Sequence, residues 1–403
     1  MDDRKISTEE YEEAGYALIS IIKAALHQEK LELNKSERLW HIIYCLSEYN
    51  HVEGITYLGA KNISNVPQNV LNKWEKKYDT AVYNQVLFEA ERKAICQEME
   101  KNKLAYLPIK GAKLVNYYPL PGMRFMADND IVYGFVGMEN GHYCRLGKNE
   151  KEKEKYIKLA QKILVNIMMK RGYECQITHG NADIFKKEPV FNFEMHRHLF
   201  ISGERFHDYY KDPWFKAKRC INDKYEYYYL DEDEYIYMIA HTFKHFDISG
   251  CGIRCLIDLY VFLEKKKDEL DWKYIDQEMR LMHLDVFHNK LKKLSLSCFN
   301  ELSLDEDDKN LLIYMLKSGT YGNIDNLFER MYDKEEGSSS KVKKLKYLKK
   351  RLFLSKEEYK NSYPIVYQHS YLIPFFTLYR ISSAIILRPK KFFKELQFII
   401  RKK

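Results

Sequence analysis

The stretch GMRFMADNDIVY, residues 122–133, places two acids one residue apart in a run that otherwise has the apolar character of a buried strand. Residues two apart in a strand point to the same face, so Asp128 and Asp130 are expected to stand side by side. Two carboxylates that close repel each other, whereas Mg²⁺ takes oxygen ligands and is commonly held by carboxylates and substrate phosphates. The pair favours a divalent-cation site only in combination with the later strand and the glycine turn described below. The alternative is a solvated strand end or an Asx turn.

A later strand offers a third carboxylate. In VFNFEMHRH, residues 190–198, apolar and polar side chains alternate, which predicts a strand with one apolar face. The other face carries Asn192, Glu194, His196 and His198. An exposed edge strand with one solvated face is the alternative interpretation.

A glycine turn precedes both strands. In PIKGAKL, residues 108–114, Gly111 lets the backbone approach a ligand closely, and the helix behind it presents unpaired N–H groups to an anion. Phosphate is the expected ligand, and Lys110 could add a positive charge. Arg124 could reach a phosphate or pair with a neighbouring acid.

The spacing of apolar residues divides the chain into four predicted parts and indicates an α+β fold. Residues 1–100 form an N-terminal helical region, and 101–230 form a core in which strands and helices alternate. Residues 231–335 form a helical domain, and 336–403 form a basic helical tail. Within the core, the charged stretch 134–155 is predicted to be a surface loop.

The net charge of +8 is unevenly distributed. From residue 341 to the end there are 17 Lys/Arg against 3 Asp/Glu, so the preceding residues carry a net charge of −6. An acidic body argues against a nucleic-acid substrate. The eight cysteines are scattered rather than paired, and no secretory leader pattern opens the sequence, so a cytoplasmic location is expected.

Taken together, LPIKGAKLVNYYPLPGMRFMADNDIVY (107–133) and FNFEMHRHLF (191–200) resemble the uncharacterised nucleotidyltransferase family of the DNA polymerase β-like superfamily. Motif order and spacing both agree. The resemblance implies a small mixed sheet flanked by helices, and metal-dependent transfer of a nucleoside monophosphate from a nucleoside triphosphate. The superfamily's usual Gly-Ser at the phosphate turn is replaced here by Lys110-Gly111-Ala112.

Carried over residue by residue, the resemblance implies three metal-binding acids, a phosphate turn and two phosphate contacts. The metal-binding acids would be Asp128, Asp130 and Glu194, and Gly111 would form the phosphate turn. Lys110 and Arg124 would contact the phosphates. Two-metal catalysis with Mg²⁺ or Mn²⁺ is expected, with ATP as the first candidate nucleotide. Glu194 or Asp130 could take the acceptor proton. His196 could bind phosphate or donate a hydrogen bond to Glu194.

Two helical segments add polar pairs at one-turn spacing. His241 and His245 could contact the nucleotide or simply make satisfied contacts between domains. For Arg254 and Asp258, a structural pair is the favoured interpretation.

The chain ends with an apolar run, residues 371–387, followed by a basic amphipathic one, residues 389–403. The apolar run is short for a membrane span of ~20 residues and is predicted to be a buried helix. The basic run could lie on an anionic membrane surface, or pack as a helix with one solvated face.

Three functions are compatible with these residues. The first is a nucleotidyltransferase acting on a hydroxyl of a small molecule, glycan precursor or protein, and retention of all three acids favours it. The second is an RNA-directed nucleotidyltransferase, which the acidic body argues against. The third is a non-catalytic nucleotide-binding or interaction module on the same fold.

Overall fold

The computed structural model describes residues 6–177, 180–221, 223–301, 303–335 and 339–402. Within them the chain divides into two compact units. The first unit extends to Thr242 and includes Ile253–Leu316, and the second consists of Phe243–Gly252 and the residues from Lys317 onward. The four-part division of the sequence stays a prediction.

Among the described residues, four helices precede the first strand, in the stretch predicted to be helical. They are α1 (Thr8–His27), α2 (Glu37–Tyr49), α3 (Glu53–Ala60) and α4 (Gln68–Lys101). A capping box begins α1: the Ser7 hydroxyl accepts from the backbone N–H of Glu10, and the Glu10 carboxylate accepts from that of Ser7. Both contacts satisfy N–H groups that have no partner within the helix.

The strands are β1 (Ala105–Ile109), β2 (Asn129–Gly134), β3 (Val136–Glu139), β4 (His142–Arg145), β5 (Glu174–Gln176), β6 (Ala182–Lys187), β7 (Phe191–His196), β8 (Ala217–Arg219) and β9 (Tyr227–Tyr229). Five of them form one sheet with the order β1-β2-β7-β6-β5. Strands β2 and β7 are parallel, and the other neighbours are antiparallel. This small mixed sheet with flanking helices confirms the predicted α+β class.

The remaining helices that begin in the first unit are α5 (Gly111–Leu114), α6 (Glu150–Lys170), α7 (Asp231–Ser249), α8 (Arg254–Lys266), α9 (Trp272–Leu281), α10 (Asp285–Phe299) and α11 (Glu306–Ser318). A short 3-10 helix, Val115–Tyr117, follows α5. The last residues of α7 and α11 belong to the second unit.

The two faces of the sheet have different surroundings. Ile131 and Tyr133 of β2 and Phe193 and Met195 of β7 belong to a buried apolar cluster that includes side chains of α4 and α6. Because side chains alternate along a strand, the polar residues between them lie on the opposite face. The site is therefore built on the face turned away from α4 and α6.

The prediction of a surface loop over residues 134–155 is wrong. Strands β3 and β4 pair there as an antiparallel hairpin, and α6 begins at Glu150. The turn is Asn140-Gly141, and both residues have positive φ, 50° and 79°. Asn-Gly is the sequence favoured in two-residue hairpin turns of this kind, because both central residues need positive φ.

The described residues of the second unit add six further helices: α12 (Ile324–Asp333), α13 (Ser340–Leu352), α14 (Lys356–Ser362), α15 (Pro364–Gln368), α16 (Ile373–Leu387) and α17 (Pro389–Arg401). A 3-10 turn, Ser370–Leu372, precedes α16. Phe398 of α17 makes ring contacts with Phe328, Tyr332 and Tyr347, which form the aromatic core between α12, α13 and α17.

The apolar run at residues 371–387 is helical but is not buried, so that part of the prediction is wrong. Within the described residues, Ser370–Leu387 is long and apolar enough to cross a membrane, and only 6% of it is buried. Phe375, for example, is 72% exposed. The sequence shows that this helix is apolar, but not what it contacts.

Candidate active site

The two acids that matter most lie opposite each other on neighbouring strands. Asp130 of β2 is the register partner of Glu194 in the parallel strand β7. On the other side of β2, Asp130 is the partner of Ile109, the last residue of β1. Since Lys110 follows Ile109 directly, strand pairing brings these three charged residues to one place.

Three groups gather at this point. One ligand atom each from Asp130, Glu194 and His196 lies within 4.8 Å of the other two, and no other such His/Cys/Asp/Glu group occurs among the described residues. Asp130 and His196 are buried, and the Glu194 side chain is 31% exposed. The site is thus largely withdrawn from water but reachable at Glu194.

Asp130 is held in its ionised form. The Lys110 ammonium donates a hydrogen bond to Asp130 Oδ1 at 2.7 Å, and His196 Nε2 donates to the same oxygen at 2.7 Å. Burial acts to raise the pKa of Asp130, but the positive charge of Lys110 and the His196 hydrogen bond together hold it below its usual range. Within the described residues Oδ2 receives no hydrogen bond, so it is open to another partner.

The pKa of Glu194 is shifted in the opposite direction from that of Asp130. Burial, together with the negative charges of Asp130 and Asp128, raises the pKa of Glu194 to about 7. A carboxyl with this pKa changes its protonation state near neutral pH, as a general base or acid does. A nearby cation would favour its ionised form.

His196 contacts a different acid from the one expected. Its Nε2 bonds Asp130 and lies 4.0 Å from Glu194 Oε2, whereas the sequence suggested a hydrogen bond to Glu194. On the other side of the ring, Nδ1 lies 3.3 Å from the side-chain amide nitrogen of Asn181. Burial lowers the pKa of His196, so the ring is neutral, with Nε2 as donor and Nδ1 as acceptor. His196 therefore orients Asp130.

Asp128 lies outside the group of three. It precedes β2 by one residue, so strand alternation does not fix the direction of its side chain in the way the sequence argument assumed. It is nevertheless close enough for electrostatic coupling: burial and the charge of Asp130 raise the pKa of Asp128. Its role as a ligand stays a prediction.

The glycine of the turn lies against a buried guanidinium, and its role in holding a phosphate stays a prediction. A Cβ atom at Gly111 would lie 2.7 Å from Nη1 of Arg124, so glycine is needed here to make room for that guanidinium. Gly111 begins α5, which has only four residues. The unusual backbone is at Lys110, whose φ of 53° is uncommon for a residue with a side chain.

Arg124 pairs with an acid, which was one of its two predicted roles. Its Nε and Nη2 donate to Asp258 Oδ1 and Oδ2 at 2.8 and 3.0 Å, and the Tyr118 hydroxyl donates to Oδ1 at 2.8 Å. All three residues are buried. Arg124 is therefore a structural cation beneath the turn, and Asp258 is its partner rather than that of Arg254.

Arg254 is left with hydrogen-bonding capacity. Its Nη1 is buried and has no hydrogen-bond partner among the described residues. Its charge acts to lower the pKa of Asp128, which places it near the acids. Arg254 is the first residue of α8, where a cation opposes the helix dipole. A cation at the start of a helix is unfavourable, and this feature of the sequence could have indicated a functional role for Arg254.

Tyr237 of α7 is a site residue that sequence reasoning missed. It is buried, and burial raises the pKa of its hydroxyl. The charge of Lys110 acts to lower this pKa, whereas the charges of Asp130 and Glu194 add to the rise. More than forty residues separate it from the nearest of these in the chain, so no local pattern could have identified it. His241, one turn later, is half-buried and has a ring contact with Tyr237. His245 is exposed and belongs to the second unit.

These residues fit a divalent cation. Asp130 and Glu194 occupy facing positions, and one oxygen of Asp130 is open, so the site offers the oxygen ligands that a divalent cation takes. The pKa of Glu194 is raised by burial and by the neighbouring negative charges, and a bound cation would offset both effects. The hydrogen bond from His196 to Asp130 is the kind of support that orients metal ligands in proteins.

Comparison with known proteins agrees with this chemistry. Residues 36–134 and 159–298, more than half of the chain, match the sequence profile of a family described as uncharacterised nucleotidyltransferase. The two segments contain every site residue discussed above, and the gap between them contains the β3/β4 hairpin. No match was found among curated proteins or solved structures. The chain belongs to this nucleotidyltransferase family.

Proposed function

We propose that the protein is a metal-dependent enzyme that transfers a nucleoside monophosphate from a nucleoside triphosphate to a hydroxyl group. The observation that carries this proposal is the meeting of Asp130 and Glu194 on the open face of the sheet, in a chain that belongs to a nucleotidyltransferase family. Transfer of this kind depends mainly on positioning and on stabilising negative charge.

Asp130 and Glu194 would hold the cation, with Asp128 as a further ligand. When bound, Mg²⁺ or Mn²⁺ would supply positive charge to the phosphate oxygens and make the acceptor hydroxyl easier to ionise, as in two-metal enzymes. His196 keeps Asp130 in place through its Nε2 hydrogen bond. Glu194 is proposed to take the acceptor proton, because it is the more exposed of the two acids and a bound cation would keep it ionised.

The bond changes balance without a covalent enzyme intermediate. The acceptor O–H proton passes to the Glu194 carboxylate as the acceptor oxygen forms a bond to the α-phosphorus. The bond from the α-phosphorus to the bridging oxygen breaks, and pyrophosphate leaves with that oxygen and its electron pair.

Lys110 and Arg254 are the cations proposed to bind the triphosphate. The Lys110 ammonium is already at the acids, and Nη1 of Arg254 is free to donate. Arg124 is not proposed for this role, because Asp258 accepts from two of its nitrogens. Tyr237 is proposed to contact the acceptor or the sugar, because the charges of Lys110, Asp130 and Glu194 all act on its hydroxyl. His241 and His245 stay predicted nucleotide contacts.

ATP is the first nucleotide to test, and the acceptor classes are small molecules, glycan precursors and proteins. The net negative charge of the residues before 341 counts against a nucleic-acid acceptor. A cytoplasmic setting, where nucleoside triphosphates are present, suits the proposed reaction.

The test is incubation with each α-labelled nucleoside triphosphate, Mg²⁺ or Mn²⁺ and a cell extract. Wild type is compared with Asp130→Asn and with the control Asp208→Asn, whose side chain is 99% exposed. We expect label in one acceptor class with wild type and the control, at least ~100-fold less with Asp130→Asn, and none with EDTA. Equal labelling by Asp130→Asn would refute the proposal.

A further inference from the structure

The second unit exposes an unusual amount of apolar surface. More than half of the exposed large hydrophobic side chains in the described residues lie between residues 342 and 400. Exposed hydrophobic residues scattered singly are normal in soluble proteins, whereas contiguous patches mark interaction surfaces.

On α16 and the turn before it, most of these side chains form one stripe. It consists of Tyr371, Phe375, Leu378, Tyr379 and Ile386, which are 65–74% exposed. Their spacing of three, four and seven residues puts them on one side of the helix. We call this set the outer stripe.

The opposite side of α16 contacts the rest of the second unit at two places. Phe376 makes ring contacts with Tyr359 and Tyr363, and the Arg380 guanidinium donates to the backbone carbonyl of Leu352. The helix therefore contacts the second unit through its inner side, whereas the part of the chain that the structure describes leaves the outer stripe exposed.

Two other helices repeat the arrangement. On α13, Leu345 and Leu348 are 68% and 36% exposed, and on α17, Phe393 and Ile400 are 54% and 70% exposed. Leu345 and Leu348 are three residues apart, and Phe393 and Ile400 are seven apart, so each pair lies on one side of its helix. Three helices of this unit thus have apolar outer sides.

The segment that carries these stripes is strongly basic. From residue 341 to the end, 17 Lys/Arg face only 3 Asp/Glu. Lys346 and Lys349 lie on either side of Leu348 along α13 and are exposed. A surface that is both apolar and basic matches one chemistry in particular, namely the interface of a bilayer with anionic headgroups.

We infer that the second unit docks on the surface of an anionic phospholipid bilayer. The outer stripe enters the boundary between headgroups and acyl chains, and the lysines contact the lipid phosphates. A surface position is favoured over a membrane-spanning one because one side of α16 packs against protein and the other faces outward. This inference is independent of the nucleotidyl transfer reaction.

The test is co-sedimentation of the full-length protein with vesicles of phosphatidylcholine alone or mixed with phosphatidylglycerol. We expect binding to the mixed vesicles only, with at least tenfold loss in about 1 M NaCl, where charges are screened beyond roughly 3 Å. Release by high salt also separates docking from insertion across the bilayer, which salt does not reverse.

Matched variants locate the contact. We expect the triple variant Phe375→Gln, Leu378→Gln, Ile386→Gln to lose binding to the vesicles. The control is a triple variant in the first unit, where the side chains are 60–67% exposed, and it should keep binding: Tyr83→Gln, Leu281→Gln, Val286→Gln. The pair Lys346→Gln, Lys349→Gln should weaken binding more than the exposed pair Lys76→Gln, Lys218→Gln.

The inference would be overturned if wild type did not bind the vesicles or bound neutral vesicles equally well. It would also be overturned if the stripe variant and its first-unit control lost vesicle binding to the same extent. Self-association in light scattering that disappears in the stripe variant, without vesicle binding, would overturn it as well, since a second copy of the chain would then cover the stripe.

Discussion

Asp130 and Glu194 face each other across the one parallel pair of strands in the sheet, β2 and β7. Parallel pairing makes two residues from distant parts of the chain neighbours on the same face. The opposite face is filled by α4 and α6, so the carboxylates have room for a ligand on their own side only. The site depends on this pairing more than on the acid pair within residues 122–133.

The glycine of the turn gives a first prediction. Gly111→Ala brings a Cβ to 2.7 Å from a guanidinium that Asp258 holds in place, so we expect a loss of about 1–3 kcal/mol in the free energy of unfolding. Activity should fall about 100-fold, because Lys110 is the adjacent residue. Gly134→Ala is the control, since its Cβ would have ordinary contacts at 3.8 Å with Trp214. Equal stability of both variants would contradict the packing argument.

The buried ion pair beneath the turn gives a second prediction. Arg124→Met leaves Asp258 buried with Tyr118 as its remaining partner, and removing one member of such a pair costs about 3–5 kcal/mol. Chemical denaturation measures this loss, with the exposed Arg280→Met expected to change stability by less than about 0.5 kcal/mol. A folded, stable Arg124→Met enzyme with impaired nucleotide binding would instead return Arg124 to the phosphate site.

Arg254 carries the third prediction. Its free Nη1 near Asp128 should donate to a triphosphate oxygen, and hydrogen bonds to charged groups contribute about 1.5–3 kcal/mol. Arg254→Gln should therefore raise the KM for the nucleotide about 10- to 100-fold and leave the unfolding free energy nearly unchanged. Titration with a fluorescent nucleotide analogue checks this directly, with Arg280→Gln as control. Unchanged nucleotide affinity would exclude Arg254 from the site.

The fourth prediction concerns pH. The pKa of Glu194 is raised from 4.5 to about 7, so the folded protein holds this proton more tightly than the unfolded chain does. Its contribution to stability is complete below pH 4.5 and is lost as the pH rises through about 7. In EDTA, the unfolding free energy of wild type should fall over this window relative to that of Glu194→Gln. Parallel curves for the two proteins would contradict the assigned shift.

Much of the fold was predictable because its signals are local. Alternation over residues 190–198 identified β7 and put Glu194 and His196 on its polar face, and Pro108 to Leu114 correctly gave a strand followed by a short helix. The β3/β4 hairpin was missed although Asn140-Gly141 signalled it, because the surrounding charges suggested a loop.

Long-range partners were not predictable in the same way. Asp258 follows Arg124 by 134 residues, so only the tertiary structure shows that they pair. Asp128 was treated as part of the strand, but β2 begins one residue later. Which acid His196 would contact depended on the register between β2 and β7, which the sequence does not reveal.

The most direct test of the account is Mn²⁺ binding in the presence of a non-hydrolysable nucleoside triphosphate, measured from the loss of the free-ion paramagnetic resonance signal. Wild type and Asp208→Asn should bind Mn²⁺, whereas Asp130→Asn and Glu194→Gln should each bind at least about tenfold more weakly. If both variants bind Mn²⁺ as well as wild type does, the facing carboxylates of β2 and β7 are not the metal site.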